Sequence, residues 1–340
     1  MSEMSAAAVE LAALTKRFSV RTANENGGRR RVQRQDILAV DHVDLVIRRG
    51  ELFGLLGPNG AGKTTTIRML CTLLEPTSGS AKVLGADVRE AAEEVRARIG
   101  VVLMGERSVY WKLTGRENLE YFAALYHVPR SIARQRIPAL LEEVELTARA
   151  DDLVERYSTG MRQRLALVKA MVHDPPVLLL DEPTTGLDPQ AARNIRDRIR
   201  QLHRDEGKTI ILTTHYMEEA DQLCERVGII DHGRIIALDS PQTLKRSLSP
   251  GPILRLELEG AAETVTPALQ NLPGVREVVS RQPSTEGTWE VDLHLADTHD
   301  VLPRVVDTLS RHGARIRHLQ ALEASLEDVF ITLTGRRLRD

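Results

Sequence analysis

Gly57-Pro58-Asn59-Gly60-Ala61-Gly62-Lys63-Thr64 decides how the first two thirds of this chain are read. It fits the phosphate-binding pattern Gly-x-x-x-x-Gly-Lys-Ser/Thr in full. Glycines clear side chains from the loop, so successive backbone N–H groups can converge on phosphate oxygens. The apolar run Leu52-Phe53-Gly54-Leu55-Leu56 stands before it, and helical spacing begins at Lys63, with Thr65 in the first turn. A strand, a glycine turn and a helix N-terminus in that order make a site for anionic phosphates. Lys63 is placed to reach the β- and γ-phosphates, and the Thr64 hydroxyl to ligate Mg²⁺. The loop specifies a nucleoside triphosphate and leaves open what its hydrolysis drives.

Outward from the loop, Leu178-Leu179-Leu180-Asp181-Glu182 supplies a second half. A carboxylate closing a buried strand, here Asp181, suits a metal held through water. Glu182, next in the chain, is placed to polarise a water for in-line attack on the γ-phosphorus. Alone, Asp181-Glu182 would read as an acidic turn; paired with the phosphate loop, it reads as a hydrolytic site. Thr209-Ile210-Ile211-Leu212 is a further strand, with His215 just beyond. Continuous apolar runs of this kind suit strands covered by helices on both faces.

The 340 residues favour two domains, and 42% hydrophobic residues suffice for a core in each. A formal net charge of -2 and 3% aromatic residues weigh against nucleic acid as a partner. The two cysteines, Cys71 and Cys224, lie far apart and read as inert thiols in a reducing compartment. Met1-Ser2-Glu3-Met4 lacks the basic start of an export signal, and no run approaches the roughly 18 apolar residues of a membrane span.

Val9–Phe18 reads as a first strand, Ser19–Gln35 as a solvated hairpin or loop carrying Arg29, Arg30, Arg31 and Arg34, and Ile37 as the start of alternating α/β structure. Residues 105–170 show helical spacing, as in Leu119, Phe122 and Ala123. The first domain is therefore expected over 1–246, a linker over 247–252, and an accessory domain over 253–340. In the accessory domain, Leu254, Leu256 and Leu258 alternate with charged residues, as do Trp289, Val291, Leu293 and Leu295; Leu302, Val305, Val306 and Leu309 have helical spacing. The order strand, helix, strand, strand, helix, strand is ferredoxin-like α+β. A last helix begins at Ser325, with Asp328 completing a capping box.

The order of the motifs resembles the ATP-binding cassette (ABC) family over about residues 9–245: phosphate loop, Ser158-Thr159-Gly160-Met161 before the Asp181 strand, then Gly186-Leu187-Asp188 and His215. The resemblance implies a P-loop cassette with a mixed sheet and a helical subdomain, binding ATP and Mg²⁺. Tyr157–Met161 looks like the signature usually written Leu-Ser-Gly-Gly-Gln, keeping Ser158 and Gly160. In the family this motif faces the ATP of a second subunit, so hydrolysis needs two copies closed head-to-tail. Asp188 looks like the aspartate that crosses that interface, and His215 like the switch histidine that orients Glu182 and the water; alone, His215 would read as a solvated strand-end residue. Phe18 looks like the aromatic that stacks on adenine, against the alternative of a core phenylalanine. The family's metal-touching glutamine is absent from Met104-Gly105-Glu106-Arg107-Ser108, where Glu106 is the nearest replacement.

The accessory domain, ending in Ser325-Leu326-Glu327-Asp328-Val329-Phe330, resembles an extension on export-type, daunorubicin-resistance-like ABC subunits. This implies efflux of a drug, lipid or glycan through a separate integral-membrane permease, from the cytoplasmic face of the membrane. Helices of the permease would rest in a groove lined by Glu106 to Glu117, where Tyr110 and Trp111 are read either as apolar contacts or as core packing. The competing expectations are an ABC ATPase acting on ribosomes or nucleic acid, and an ATP-gated regulator.

Overall fold

A computed structural model of the chain describes residues 7–26, 29–103, 109–248, 253–259, 262–281, 288–295, 298–322 and 325–334. It divides after Ser240 into two compact units. The first opens with an antiparallel ribbon, β1 (Ala7–Asn26) and β2 (Arg29–Arg48). Pairing continues without a break from Phe18 opposite Ile37 to Asn26 opposite Arg29, so the stretch expected as hairpin or loop is a hairpin. Alternating α/β structure therefore begins at Leu52, later than expected, because Ile37 to Arg48 pairs back onto β1.

There follow β3 (Leu52–Leu56), α1 (Lys63–Leu70), β4 (Ser78–Val83), β5 (Ala86–Asp87), α2 (Ala92–Arg98) and β6 (Ile99–Val102). The helical stretch holds α3 (Gly115–Leu125), α4 (Arg130–Glu143) and α5 (Thr159–Met171). The unit closes with β7 (Val177–Asp181), α6 (Pro189–Arg204), β8 (Thr209–Thr214), α7 (Met217–Leu223), β9 (Arg226–Asp231) and β10 (Arg234–Asp239).

Six strands form one sheet in the order β10-β9-β3-β8-β7-β6; all pairs are parallel except β10 with β9. Every residue of β3, β7 and β8 is buried, as their continuous apolar runs require of strands covered on both faces. An antiparallel sheet, β2-β1-β4-β5, completes the mixed architecture. Leu14, Ile47 and Val83 from it share a core with Phe53 of β3, Ile67 of α1 and Leu179 of β7.

Thr114 starts α3 through a capping box: its hydroxyl accepts from Glu117 N at 3.1 Å, and Glu117 Oε2 accepts from Thr114 N at 2.8 Å. One turn later, Asn118 is fully buried. Its Oδ1 accepts from Tyr110 N at 2.7 Å, and its Nδ2 donates to Tyr110 O at 2.9 Å and Thr114 O at 2.8 Å. One side chain thus fastens residues 110–114 to the helix.

The second unit begins at α8 (Pro241–Leu248) and continues through β11 (Ile253–Glu259), α9 (Ala262–Gln270), β12 (Val275–Arg281), β13 (Thr288–Leu295), α10 (Thr298–Arg311), β14 (Arg315–Leu322) and α11 (Leu326–Thr334). Its sheet order β12-β13-β11-β14, antiparallel throughout, is the expected ferredoxin-like arrangement. Leu254, Leu256 and Leu258 pack on Val265 of α9 and Val305 and Leu309 of α10. Helix α8 contacts α11, so the expected linker at 247–252 starts within the last turn of α8; residues 249–252 lie outside the described residues. Ser325 caps α11 as its sequence suggests, its hydroxyl accepting from Asp328 N at 3.1 Å while Asp328 Oδ2 accepts from Ser325 N at 2.9 Å.

Replacing Asn118 by Ala leaves Tyr110 N without its acceptor and takes the side-chain donor from Tyr110 O and Thr114 O, which keep the backbone N–H groups of residues 113 and 118. A loss of about 1–3 kcal/mol is expected in the urea transition of the first unit, with the second unit's transition unchanged; an unaltered midpoint for the first unit would contradict this role.

Candidate nucleotide site

The loop between β3 and α1 turns where the sequence places its glycines. Gly60 has φ +82°, in the left-handed region. At Gly57 a Cβ would come within 2.2 Å of Ile230 O, and at Gly62 within 2.4 Å of Ala39 O, so side chains there would push the loop off β9 and β2. Helix α1 has no acidic residue in its first turn and no side-chain cap. Its first N–H groups and positive dipole end are thus left to an external anion.

Lys63 folds back over the loop. Its buried ammonium donates to Gly57 O at 2.7 Å and Pro58 O at 3.1 Å, and lies 3.4 Å from Glu182 Oε1. Burial pushes its pKa below the ordinary lysine value, and the charges of Glu182 and Asp181 offset part of that. Thr64 Oγ1 donates to Asp181 Oδ1 at 3.1 Å, and Thr213 Oγ1, from β8, donates to the same oxygen at 2.6 Å. Among the described residues, Asp181 Oδ2 is buried without a hydrogen-bond partner. An orphaned carboxylate oxygen beside a threonine hydroxyl at a phosphate loop is a hard-oxygen donor set, which fits Mg²⁺.

Glu182 occupies a left-handed conformation, φ +49°. A non-glycine residue stays there only where its surroundings hold it. Its N–H is shared between Thr213 O and Thr213 Oγ1, each at 3.1 Å, and its Oε2 accepts from Thr185 Oγ1 at 3.0 Å. His215 Nδ1 stands 3.2 Å from the same Oε2, an ion-pair distance without the alignment of a hydrogen bond. Lys63, Thr64, Asp181, Glu182 and His215, which span 152 positions of chain from Lys63 to His215 (215 − 63), thus form one network.

Ser158, Gly160 and Asp188 lie outside this network among the described residues. Ser158 caps α5, its hydroxyl accepting from Met161 N at 3.2 Å. Asp188 caps α6, its Oδ1 accepting from Ala191 N at 2.9 Å. A Cβ on Gly160 would meet Ala191 Cβ at 3.3 Å, so the N-termini of α5 and α6 adjoin in a second patch. Ser158 and Asp188 are both exposed. Phe18 is 37% exposed, with Lys16 Nζ 5.3 Å from its ring centroid, which excludes the core-phenylalanine alternative. Asn59 and Gly60 are exposed, Ala61 is buried and Thr65 half-buried. Glu106 lies outside the described residues.

Four supporting residues escaped the sequence reading: Thr213, Thr184, Glu219 and Gln163. Gln163 Nε2, on α5, donates to Pro183 O at 2.9 Å, joining the second patch to the residue after Glu182. Thr184 Oγ1 donates to Glu219 Oε1 at 2.8 Å in a buried contact. The available signal was a carboxylate at position 219 beside the apolar Met217, Ala220 and Leu223 of α7.

Two family models match: ABC transporter over residues 40–185, and the C-terminal domain of DrrA1-3-like ATP-binding proteins over 240–334. The chain is 43% identical over 305 residues to the daunorubicin resistance ATP-binding protein DrrA2 of Streptomyces coeruleorubidus, covering 88% of this chain and 91% of that one. It is 37% identical to the linearmycin resistance ATP-binding protein LnrL of Bacillus subtilis (88% and 95% covered), and 39% identical to a Nod factor export ATP-binding protein I of Cupriavidus metallidurans (90% and 95%). Among solved structures, a dimeric post-hydrolysis ATP-binding cassette bound to ADP and Pi is similar at TM-score 0.59 and 26% identity, covering 68% of this chain and 98% of that one. An ATP-binding subunit of an ABC transporter is similar at TM-score 0.59 and 28% identity, covering 71% and 92%. With this fold, this phosphate site and relatives matched over both units, the chain belongs to the ABC transporter ATP-binding proteins, ATP hydrolases of the group with a DrrA1-3-like C-terminal domain.

Proposed function

We propose that this chain hydrolyses ATP as a head-to-tail pair of copies on the cytoplasmic face of a membrane, driving efflux through a separate integral-membrane permease. One observation carries the export reading: similarity to resistance and export ATP-binding proteins extends through the second unit as well as the cassette. Among the described residues no helix is long and apolar enough to cross a membrane, so the pathway belongs to another polypeptide on this reading. Tyr110 and Trp111, 48% and 37% exposed beside the start of α3, offer the permease an apolar contact. The cargo class is a drug, lipid or glycan.

In the proposed chemistry the phosphate loop and Lys63 hold the β- and γ-phosphates. Mg²⁺, held by Thr64 and Asp181 with Glu106 in the place of the family's glutamine, would neutralise charge on the phosphate oxygens. Glu182 accepts a proton as water oxygen bonds to the γ-phosphorus and the bond to the bridging oxygen breaks, leaving ADP and phosphate. His215, 3.2 Å from Glu182 Oε2, orients that carboxylate. Ser158, Gly160 and Asp188 serve the nucleotide of the opposite copy. Phe18, exposed in β1, stacks on adenine.

Glu182→Gln is expected to keep ATP binding and to lower turnover by about 100-fold or more, with an ATP-dependent dimer accumulating in light scattering; parental turnover would remove Glu182 from the role of base. Gly160→Asp is expected to abolish hydrolysis while each copy still binds nucleotide, whereas full activity as a strict monomer would refute the paired site. Phe18→Ala is expected to weaken ATP binding roughly tenfold, the value of one lost stacking contact, with GTP and ATP then bound more alike; unchanged ATP affinity would exclude the adenine contact.

A further inference from the structure

Glu219 sits in the first turn of α7 and is only 2% exposed, on a helix whose other buried positions are apolar. A carboxylate withdrawn from water needs compensating partners. The Thr184 hydroxyl, 2.8 Å from Oε1, supplies one. Burial nevertheless pushes its pKa above the usual carboxylate range, against the pull of the nearby threonine hydroxyls and the charges of Arg196 and His215. Its Oε2 is buried without a hydrogen-bond partner.

Thr184 and α7 adjoin the two segments that matter most to the chemistry. Thr184 follows Glu182 by two positions in the loop leaving β7, and α7 begins at Met217, two positions after His215 just past the end of β8. Met217, Ala220 and Leu223 anchor α7 in the interior, so Glu219 projects from a fixed support. We propose that Glu219 is a positioning residue, whose carboxylate ties the Glu182 loop to the His215 strand end and so sets the spacing of that pair. This rests on the reading of Glu182 as base and His215 as its orienting partner.

The strain at Glu182 gives the tie its consequence. A left-handed glutamate relaxes when the contacts around it loosen, and Thr184 without its acceptor frees the loop on one side. A shift of about 1 Å in a catalytic group can lower a rate by up to about 100-fold while leaving substrate binding intact.

The test is steady-state ATP hydrolysis and nucleotide affinity of the full chain, for Glu219→Ala, Glu219→Gln, Thr184→Val, the Glu219→Ala/Thr184→Val double variant, and Glu182→Gln as reference. Glu219→Ala is expected to lower kcat by about tenfold or more with nucleotide affinity within about threefold. Glu219→Gln, which retains a carbonyl acceptor for Thr184, recovers most of the rate. The double variant is no slower than the worse single one, because both changes cut the same tie. The proposal is overturned by Glu219→Ala within about twofold of the parental kcat, by an equal loss of affinity and turnover, or by effects that multiply in the double variant. Should Glu219→Ala fail to fold, Thr184→Val decides: a parental kcat overturns the proposal, and a lowered kcat at unchanged affinity supports it. Glu182→Gln separates the two levels of the argument. If it abolishes turnover while Glu219→Ala does not, only the tie is wrong; if it turns over normally, the assignment of the base falls and this inference with it.

Discussion

The contact between Lys63 and Glu182, opposite charges 3.4 Å apart and both buried, is the constraint around which the cassette is arranged. Two charges removed from water are tolerated only with good geometry and further hydrogen bonds. Lys63 has two loop carbonyls, and Glu182 has the Thr185 hydroxyl with His215 close by. Sheet order makes this possible. Strand β8 lies between β3 and β7, so the phosphate loop, Asp181-Glu182 and His215 all emerge from the carboxyl ends of neighbouring parallel strands. Such an edge is where open α/β sheets collect ligand-binding groups. Gly57 and Gly62 let the loop close onto the backbone at Ile230 and Ala39.

What could be read from sequence was local. The phosphate loop declares itself in eight consecutive residues, and Asp181-Glu182 and His215 each close an apolar strand whose length and burial are written in its composition. The ferredoxin-like order of the second unit was legible for the same reason: alternation in β11 and β13 and helical spacing in α10 are short-range signals. What escaped depends on chain segments far apart. Thr213 reaches Asp181 across 32 positions, Thr184 reaches Glu219 across 35, and Gln163 reaches Pro183 across 20. No periodicity announces a threonine as a donor to a remote carboxylate. The α/β start was placed too early at Ile37 because an apolar strand looks alike in a parallel and an antiparallel sheet until its partners are known. The expected linker began at Ser247, inside α8, because Ser247 and Leu248 precede a Ser-Pro-Gly-Pro stretch whose composition break hides the last turn of that helix.

The cassette presents two distinct patches. One is the buried network at the carboxyl edge of the sheet, rich in charge and committed to phosphate. The other is the exposed pair of helix N-termini at Ser158 and Asp188, held side by side by the close approach of Gly160 to Ala191. Helix α5 has a neutral Ser158 cap and no acidic residue in its first turn, so its N-terminal dipole is directed outward uncompensated, whereas the Asp188 carboxylate offsets that of α6. Within one copy the patches are joined by the hydrogen bond from Gln163 to Pro183, the residue after Glu182.

Two unlike patches on one chain constrain how copies can pair. On the proposed reading, the second patch of one copy covers the phosphate site of the other. A twofold axis then repeats that contact, so one interface completes two sites at once. A triphosphate between the patches supplies the negative charge that the N-termini of α1 and α5 lack, and pairing is linked to nucleotide by mass action. Hydrolysis removes the γ-phosphate from this junction, taking away the charge that faces Ser158 and Gly160. The same electrostatics that draws the copies together therefore weakens once the reaction is done. That gives the pair a closed and an open state whose balance is set by the nucleotide, which is what an engine needs if its stroke is to be delivered to another polypeptide.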